Sequence, residues 1–178
     1  MTITAACDGS CLGNPGPAGW AWVINDETWQ AGGLARATNN VGELLAVLQL
    51  LHATAHTDER LHILCDSQYV IRSLTEWLPG WKRRGWKRAN KKPVANAELM
   101  RALDTAMAGR ELQFTWVRGH AGHALNEAAD RRANAAATAI QNGSEVETGP
   151  GYPGHQPSLA AVDTLVSADV DSASPTLF

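Results

Sequence analysis

Four acidic residues stand where a folded chain gains little from a charge. Asp8 follows directly on the β-prone run TITAAC, and Asp66 closes the apolar run LHILC. Glu43 sits beside Leu44 at the edge of an apolar helical stripe, and Asp130 lies three residues before Ala133 on the packing side of a helical pattern. Taken singly, each has an ordinary structural reading: a turn former before Gly9, a residue of a first helical turn, a cap beside Ser67, a solvated helical charge. Brought together, they would repel one another and raise their own pKa values unless a cation lay among them. Carboxylates without a Cys or His pair select a hard cation, Mg²⁺ first and Mn²⁺ as its usual substitute. Two such ions about 3.5–4 Å apart would activate a water and stabilise the leaving oxygen in phosphodiester hydrolysis.

A second concentration of chemistry is WKRRGWKRANKK, residues 81–92, which holds seven of the chain's fifteen Lys and Arg in a protein of net charge -3. Basic groups at this density repel one another unless a polyanion neutralises them, and interleaved tryptophans offer faces to sugars or bases. A solvated basic segment with its Trp side chains packed underneath is an equal reading of this stretch alone.

The elements that must position these groups follow from periodicity. TITAAC, GWAWVIN and ETWQAGGL alternate and are joined by short turns, which predicts three antiparallel strands. NNVGELLAVLQLLHATAH carries Leu44, Val47, Leu48 and Leu51 at helical spacing, with Asn39 as the expected N-cap. RLHILCD reads as a buried strand, and SQYVIRSLTEWL as a helix capped by Ser67 and ended by Pro79 and Gly80. NAELMRALDTAMAG, ELQFTWV and NEAADRRANAAATAI complete the order as helix, strand and helix. An α/β fold is expected, with a mixed sheet of order βββαβα, basic loop, αβα, covered by helices reached through crossovers. If the first and fourth strands are neighbours, Asp8 and Asp66 end close together and the helix-borne Glu43 and Asp130 converge on them.

With 178 residues, 44% apolar and 19% charged, the chain has the profile of one globular domain. No apolar run approaches the ~20 residues of a membrane span, and MTITAACDGS lacks a signal-peptide pattern, so a cytoplasmic protein without membrane contact is expected. Cys7, Cys11 and Cys65 lack metal-type spacing and read as reduced thiols. Arg132 is the last basic residue, and residues 133–178 carry five acids. From Gln141 the composition turns to Gly, Pro, Ser and Thr. A catalytic domain over 1–140 and an acidic, disordered tail over 141–178 are expected. The tail could compete for the basic segment, or dock its closing SPTLF on a replication or repair protein.

At CDGSCLGNPGPAGWAWV, TNNVGEL, LCDSQYV, WKRRGWKRANKKPVANAEL and WVRGHAGHALNEAAD the sequence closely resembles bacterial type I ribonuclease H. The likeness is collinear from Thr4 to Ala139. It implies the ribonuclease H fold with five strands, and endonucleolytic hydrolysis of the RNA strand of RNA/DNA hybrids to 5'-phosphate and 3'-hydroxyl ends. Hybrids in R-loops and RNA primers are the implied substrates. The family's metal-binding acids match Asp8, Glu43, Asp66 and Asp130, and its mobile catalytic histidine matches His120, which would accept or relay a proton. The resemblance gives His123 no catalytic role.

In that family the basic segment is a handle tracking the DNA strand. Its aromatic positions match Trp77, Trp81 and Trp86, and Lys87, Arg88, Lys91 and Lys92 would hold phosphates. A DNA-phosphate pocket matches Arg36, Thr38 and Asn96. Contacts to the 2'-hydroxyl, the group that marks RNA at every nucleotide, match Gly9, Ser10, Cys11, Asn14, Asn39, Asn40 and Gln68. Cys7, Gly42 and Ala124 stand where Thr, a larger apolar residue and Pro are frequent. Gly42 lowers the helix propensity of the turn bearing Glu43.

Three functions compete. A metal-dependent hybrid-specific nuclease uses every feature above. A non-catalytic hybrid-binding module would gain nothing from four mutually repelling carboxylates. Another nuclease or strand transferase of the same fold would not need the handle and RGHAGH. The matched site is complete within one chain, so a monomer is expected.

Overall fold

The computed structural model of the chain describes residues 1–119 and 122–155. Strands β1 (Thr2–Cys11), β2 (Gly16–Asn25) and β3 (Thr28–Ala37) form the expected antiparallel meander. Helix α1 (Asn39–Ala53) leads to β4 (Arg60–Cys65), which returns parallel to β1, and β5 (Leu112–Trp116) pairs in parallel with β4. The five-stranded sheet has the order β3-β2-β1-β4-β5. A strand reached through a helix lands parallel beside an earlier one, whereas short turns give antiparallel neighbours, so this sheet is mixed.

Two local expectations are corrected. Asn39 is the first residue of α1, and its cap is Thr38, whose Oγ accepts from the Val41 N–H at 3.3 Å. Pro79 and Gly80 do not end the helix begun at Ser67. Helix α2 (Gln68–Arg72) passes through a π-helical turn (Ser73–Trp77) into α3 (Leu78–Arg83). In the wide turn the Leu78 N–H reaches the Ser73 carbonyl, five residues back. Pro79 then falls in the first turn of the next segment, where a missing N–H costs nothing.

Helices α4 (Ala97–Met107) and α1 share one face of the sheet. Leu44, Leu45, Leu48 and Leu51 of α1 are buried against Ile3, Ala5, Leu61, Ile63, Leu99 and Leu103. Trp22 is fully buried there, with its indole N–H donating to Gln30 Oε1 at 3.1 Å. The other face is covered by α5 (Ala124–Asn142), whose Ala129 and Ala133 pack on Ala6, Ala21 and Leu64. A Cβ at Gly19 of β2 would lie 2.0 Å from the Ala133 carbonyl oxygen, so only glycine admits the helix at this depth.

Helix α5 ends at Gly143, in the left-handed region at φ 66°. Residues 144–155 then follow the edge strand β3. Ala31 N–H donates to the Thr148 carbonyl at 3.0 Å, and Gly151 N–H to the Trp29 carbonyl at 2.9 Å. The Arg132 guanidinium sits 3.6 Å over the Trp29 ring and 3.7 Å from Glu147. At the far end, His56 Nε2 is 3.0 Å from the Pro153 carbonyl, and its ring lies 5.6 Å from that of Tyr152. This segment covers a sheet edge that would otherwise offer open backbone groups. The closing SPTLF lies outside the described residues.

Candidate active site

Parallel pairing of β1 with β4 sets Cys7 opposite Cys65, and the next residue of each strand is an acid. Asp8 is not at the strand's end, as its sequence context implied. Strand β1 continues to Cys11 because Gly9, Ser10 and Cys11 keep pairing with Trp20, Gly19 and Ala18 of β2. Glu43 joins the two from α1. One carboxylate oxygen from each of Asp8, Glu43 and Asp66 falls within 4.8 Å of the others. Gly9 makes this possible, since a Cβ there would lie 2.4 Å from the Glu43 amide nitrogen. Gly42 fits the same contact, its missing Cβ being 3.0 Å from the Gly19 carbonyl oxygen and 3.3 Å from the Gly9 Cα.

The electrostatics follow from burial and like charge. Asp8 is 2% exposed. Its carboxyl is pushed up from 3.8 to about 9, first by burial, then by Asp66, with Asp130 and Glu43 adding to it. The Gly9 N–H, 2.9 Å from Asp8 Oδ1, pulls the other way. Glu43 is raised from 4.5 to about 7 by burial and by Asp66, against a hydrogen bond from Ser67. Burial also lifts the thiols of Cys7 and Cys65. Asp130, on α5, is half-buried and close enough for its charge to act on Asp8, but it is not part of the three-oxygen group. His120 lies outside the described residues.

Two of the expected substrate residues bond to other elements. Ser10 Oγ is 3.4 Å from Asn134 Oδ1, and Asn14 Oδ1 accepts from the Asn39 N–H at 3.2 Å. Cys11 turns its thiol to the Ala37 carbonyl at 3.0 Å. Asn39, Asn40 and Gln68 are exposed, as is Arg36 at the end of β3. Asn96 precedes α4 in the left-handed region at φ 58° and makes no capping bond with its side chain.

The basic segment starts in α3, which carries Trp81, Lys82 and Arg83, and continues into a small hairpin closed by the Lys87–Pro93 bridge and by the Arg88 N–H to the Lys92 carbonyl, 2.8 Å. Lys87, Arg88, Lys91 and Lys92 are exposed. Its tryptophans are half-buried: Trp81 and Trp86 pack against the core, Trp77 lies 6.0 Å from Trp81, and Arg101 sits 5.5 Å over Trp86. The rings are thus partly packed on the core, while the cations project into solvent.

Four residues make contacts at the site that sequence reasoning did not foresee. Ser67 both caps α2 and bonds Glu43. Gly119 lies so near that a Cβ on it would be 3.2 Å from Asp66 Oδ2. Trp116 donates its indole N–H to the Asp66 carbonyl at 3.1 Å, and Asn134 reaches Ser10 from one turn beyond Asp130. The signals available were the four-residue step from Asp130 to Asn134 and the position of Trp116 just before RGHAGH.

Comparison with known proteins places this geometry. The family model described as RNase H matches residues 1–138. The chain is 51% identical over 150 residues to Ribonuclease H of Tropheryma whipplei (strain Twist), covering 84% of this chain and 93% of that protein. It is also 51% identical over 140 residues to Ribonuclease HI of Streptomyces coelicolor, covering 75% of this chain and 60% of that longer protein. The crystal structure of LC9-RNase H1, a type 1 RNase H with the type 2 active-site motif, matches with a TM-score of 0.65 at 30% identity, over 91% of this chain and 85% of that one. LC11-RNase H1, solved in complex with an RNA/DNA hybrid, shares the fold with a TM-score of 0.57 at 23% identity, over 79% of this chain and 97% of that one. A buried acidic group at the β1–β4 junction and these matches along the sheet and helices lead to one conclusion: the chain belongs to the ribonuclease H family.

Proposed function

We propose that this protein hydrolyses the RNA strand of RNA/DNA hybrids internally, leaving 5'-phosphate and 3'-hydroxyl ends. The observation that carries the reading is the convergence of Asp8, Glu43 and Asp66 within 4.8 Å in a chain so similar to named ribonucleases H. The donor set fits a hard divalent cation: every donor is a carboxylate oxygen, and burial together with like charge raises Asp8 to about 9 and Glu43 to about 7, so a positive charge among them is favoured. Mg²⁺ is the ion proposed, Mn²⁺ its substitute, with two ions when substrate is bound. Bound there, the metal offsets the carboxylate charge and supplies an activated water for attack on the scissile phosphodiester.

The chain's own residues do the remaining work. Asp8, Glu43 and Asp66 hold the cation, with Asp130 as a further ligand from α5. His120 accepts or relays a proton. Thr38 Oγ accepts from Val41, which leaves its own hydroxyl proton free to donate, with Arg36 and the Asn96 amide, to a DNA phosphate. Ser10, Asn14, Asn39, Asn40 and Gln68, with the backbone around Gly9 and Cys11, meet the 2'-hydroxyls and bases of the minor groove. Lys87, Arg88, Lys91 and Lys92 hold DNA phosphates beyond the site, while Trp77, Trp81 and Trp86 support them.

A cytoplasmic monomer acting on R-loops and primers fits a site whose three acids come from one chain and whose cysteines are free. Among the described residues no helix is long and apolar enough to cross a membrane. The test presents one end-labelled sequence as RNA/DNA, RNA/RNA, DNA/DNA and single-stranded RNA, with Mg²⁺ or chelator. Mg²⁺-dependent internal cuts confined to the RNA of the hybrid are expected. Tight hybrid binding without cleavage under any metal would replace the nuclease by a binding module.

A further inference from the structure

Trp116 is the one large internal apolar residue among the described residues left substantially in water, at 47% exposure. A ring held that far out contributes little to the core, so its bulk does not explain its place. An exposed indole N–H has water available and gains little from a protein acceptor. The benefit of its bond to the Asp66 carbonyl, 3.1 Å, therefore falls on Asp66.

The β4–β5 ladder ends at the pair Cys65–Trp116, with the Val117 N–H on the Cys65 carbonyl at 2.9 Å. Two residues after Cys65, Ser67 caps α2, so Asp66 lies at the junction between the ladder and the helix. The indole adds a rung past the end of the ladder. Gly119 closes the same side, against the Asp66 carboxylate.

We propose that Trp116 is a positioning residue for the cation site. Its N–H fixes the Asp66 peptide and so orients the Asp66 carboxylate toward Asp8 and Glu43. This rests on the metal-site reading above, and groups that orient ligands in this way tune metal affinity.

The test compares wild type with Trp116→Phe, and with a protein carrying 3-benzothienylalanine at 116, which keeps the ring's shape and removes only the N–H. Mn²⁺ affinity is measured by calorimetry without substrate, hybrid affinity in chelator, and the Mg²⁺ dependence of cleavage where cleavage occurs. Both variants are expected to bind Mn²⁺ about tenfold more weakly, the lower end for such partners. Hybrid affinity and thermal midpoint should change little, and cleavage should recover at high Mg²⁺. Unchanged Mn²⁺ affinity in the isostere would overturn the proposal, as would an equal loss of hybrid binding in chelator, the mark of a general structural role. If Mn²⁺ binding weakens as expected while the wild type cuts no hybrid, the positioning role stands and the nuclease reading fails.

Discussion

Cys7 of β1 and Cys65 of β4 stand opposite each other in parallel register, and that pairing sets Asp8 beside Asp66 where β4 ends. Asp8, 2% exposed, would not be tolerable at that depth for stability alone. A slip of one residue between the strands would turn one of the two acids to the opposite face of the sheet.

Replacing Asp66 with Asn should lower single-turnover cleavage of a hybrid by about two orders of magnitude or more. Hybrid affinity measured in chelator should stay the same or tighten, since a negative charge leaves the phosphate-binding face. Retained turnover would remove Asp66 from the catalytic group.

Asp8 makes the metal-free protein less stable as pH rises. Its folded pKa, about 9, lies above the ordinary 3.8, so between those values the folded chain holds a proton that the unfolded chain releases. The penalty is absent below the ordinary pKa and grows through this window, and Glu43 adds to it between 4.5 and about 7. Asp8→Asn should therefore raise the metal-free thermal midpoint at neutral pH, by about 2–4 °C for each kcal/mol released, and flatten its pH dependence. Mg²⁺ should raise the midpoint of wild type and not of the variant. Midpoints scanned from pH 4 to 9, with Mg²⁺ and with chelator, check both signs.

Neutralising Lys87, Arg88, Lys91 and Lys92 together should weaken hybrid binding and flatten its salt dependence, by about 0.7–0.9 in the log–log slope for each phosphate that no longer meets a cation. Because these side chains project from the hairpin while the rings pack inward, the thermal midpoint should change little. Affinity titrations across a salt series measure the slope.

Ending the chain after Gly143 removes the cover from Trp29, which is 5% exposed, and the partner of the Ala31 N–H. The loss should be on the order of 1–3 kcal/mol in urea unfolding, from newly exposed aromatic surface. Cleavage at low temperature should be unaffected, since the segment lies along β3 and the acidic group at β1 and β4.

Local pattern alone determined much of this protein. Alternation and helical spacing announced every strand and most of the helices, because each element buries one face and repeats apolar residues at its own period. Ser67 was legible as a cap because its short hydroxyl precedes an apolar helical run. Thr38 was not, since Thr38, Asn39 and Asn40 are all competent caps and only the backbone conformation decides among them. Pro79 misled because a proline ends a helix only where its N–H is needed, and the π turn removes that need. The acids were visible one by one, but their convergence depends on a β1–β4 pairing across more than fifty residues, which the amino-acid order expresses only through the whole fold. The rung from Trp116 to Asp66 and the cover of residues 144–155 over Trp29 are also decided by tertiary structure alone. A hydrogen bond between distant residues leaves no period in the chain, and composition does not show what a segment lies against.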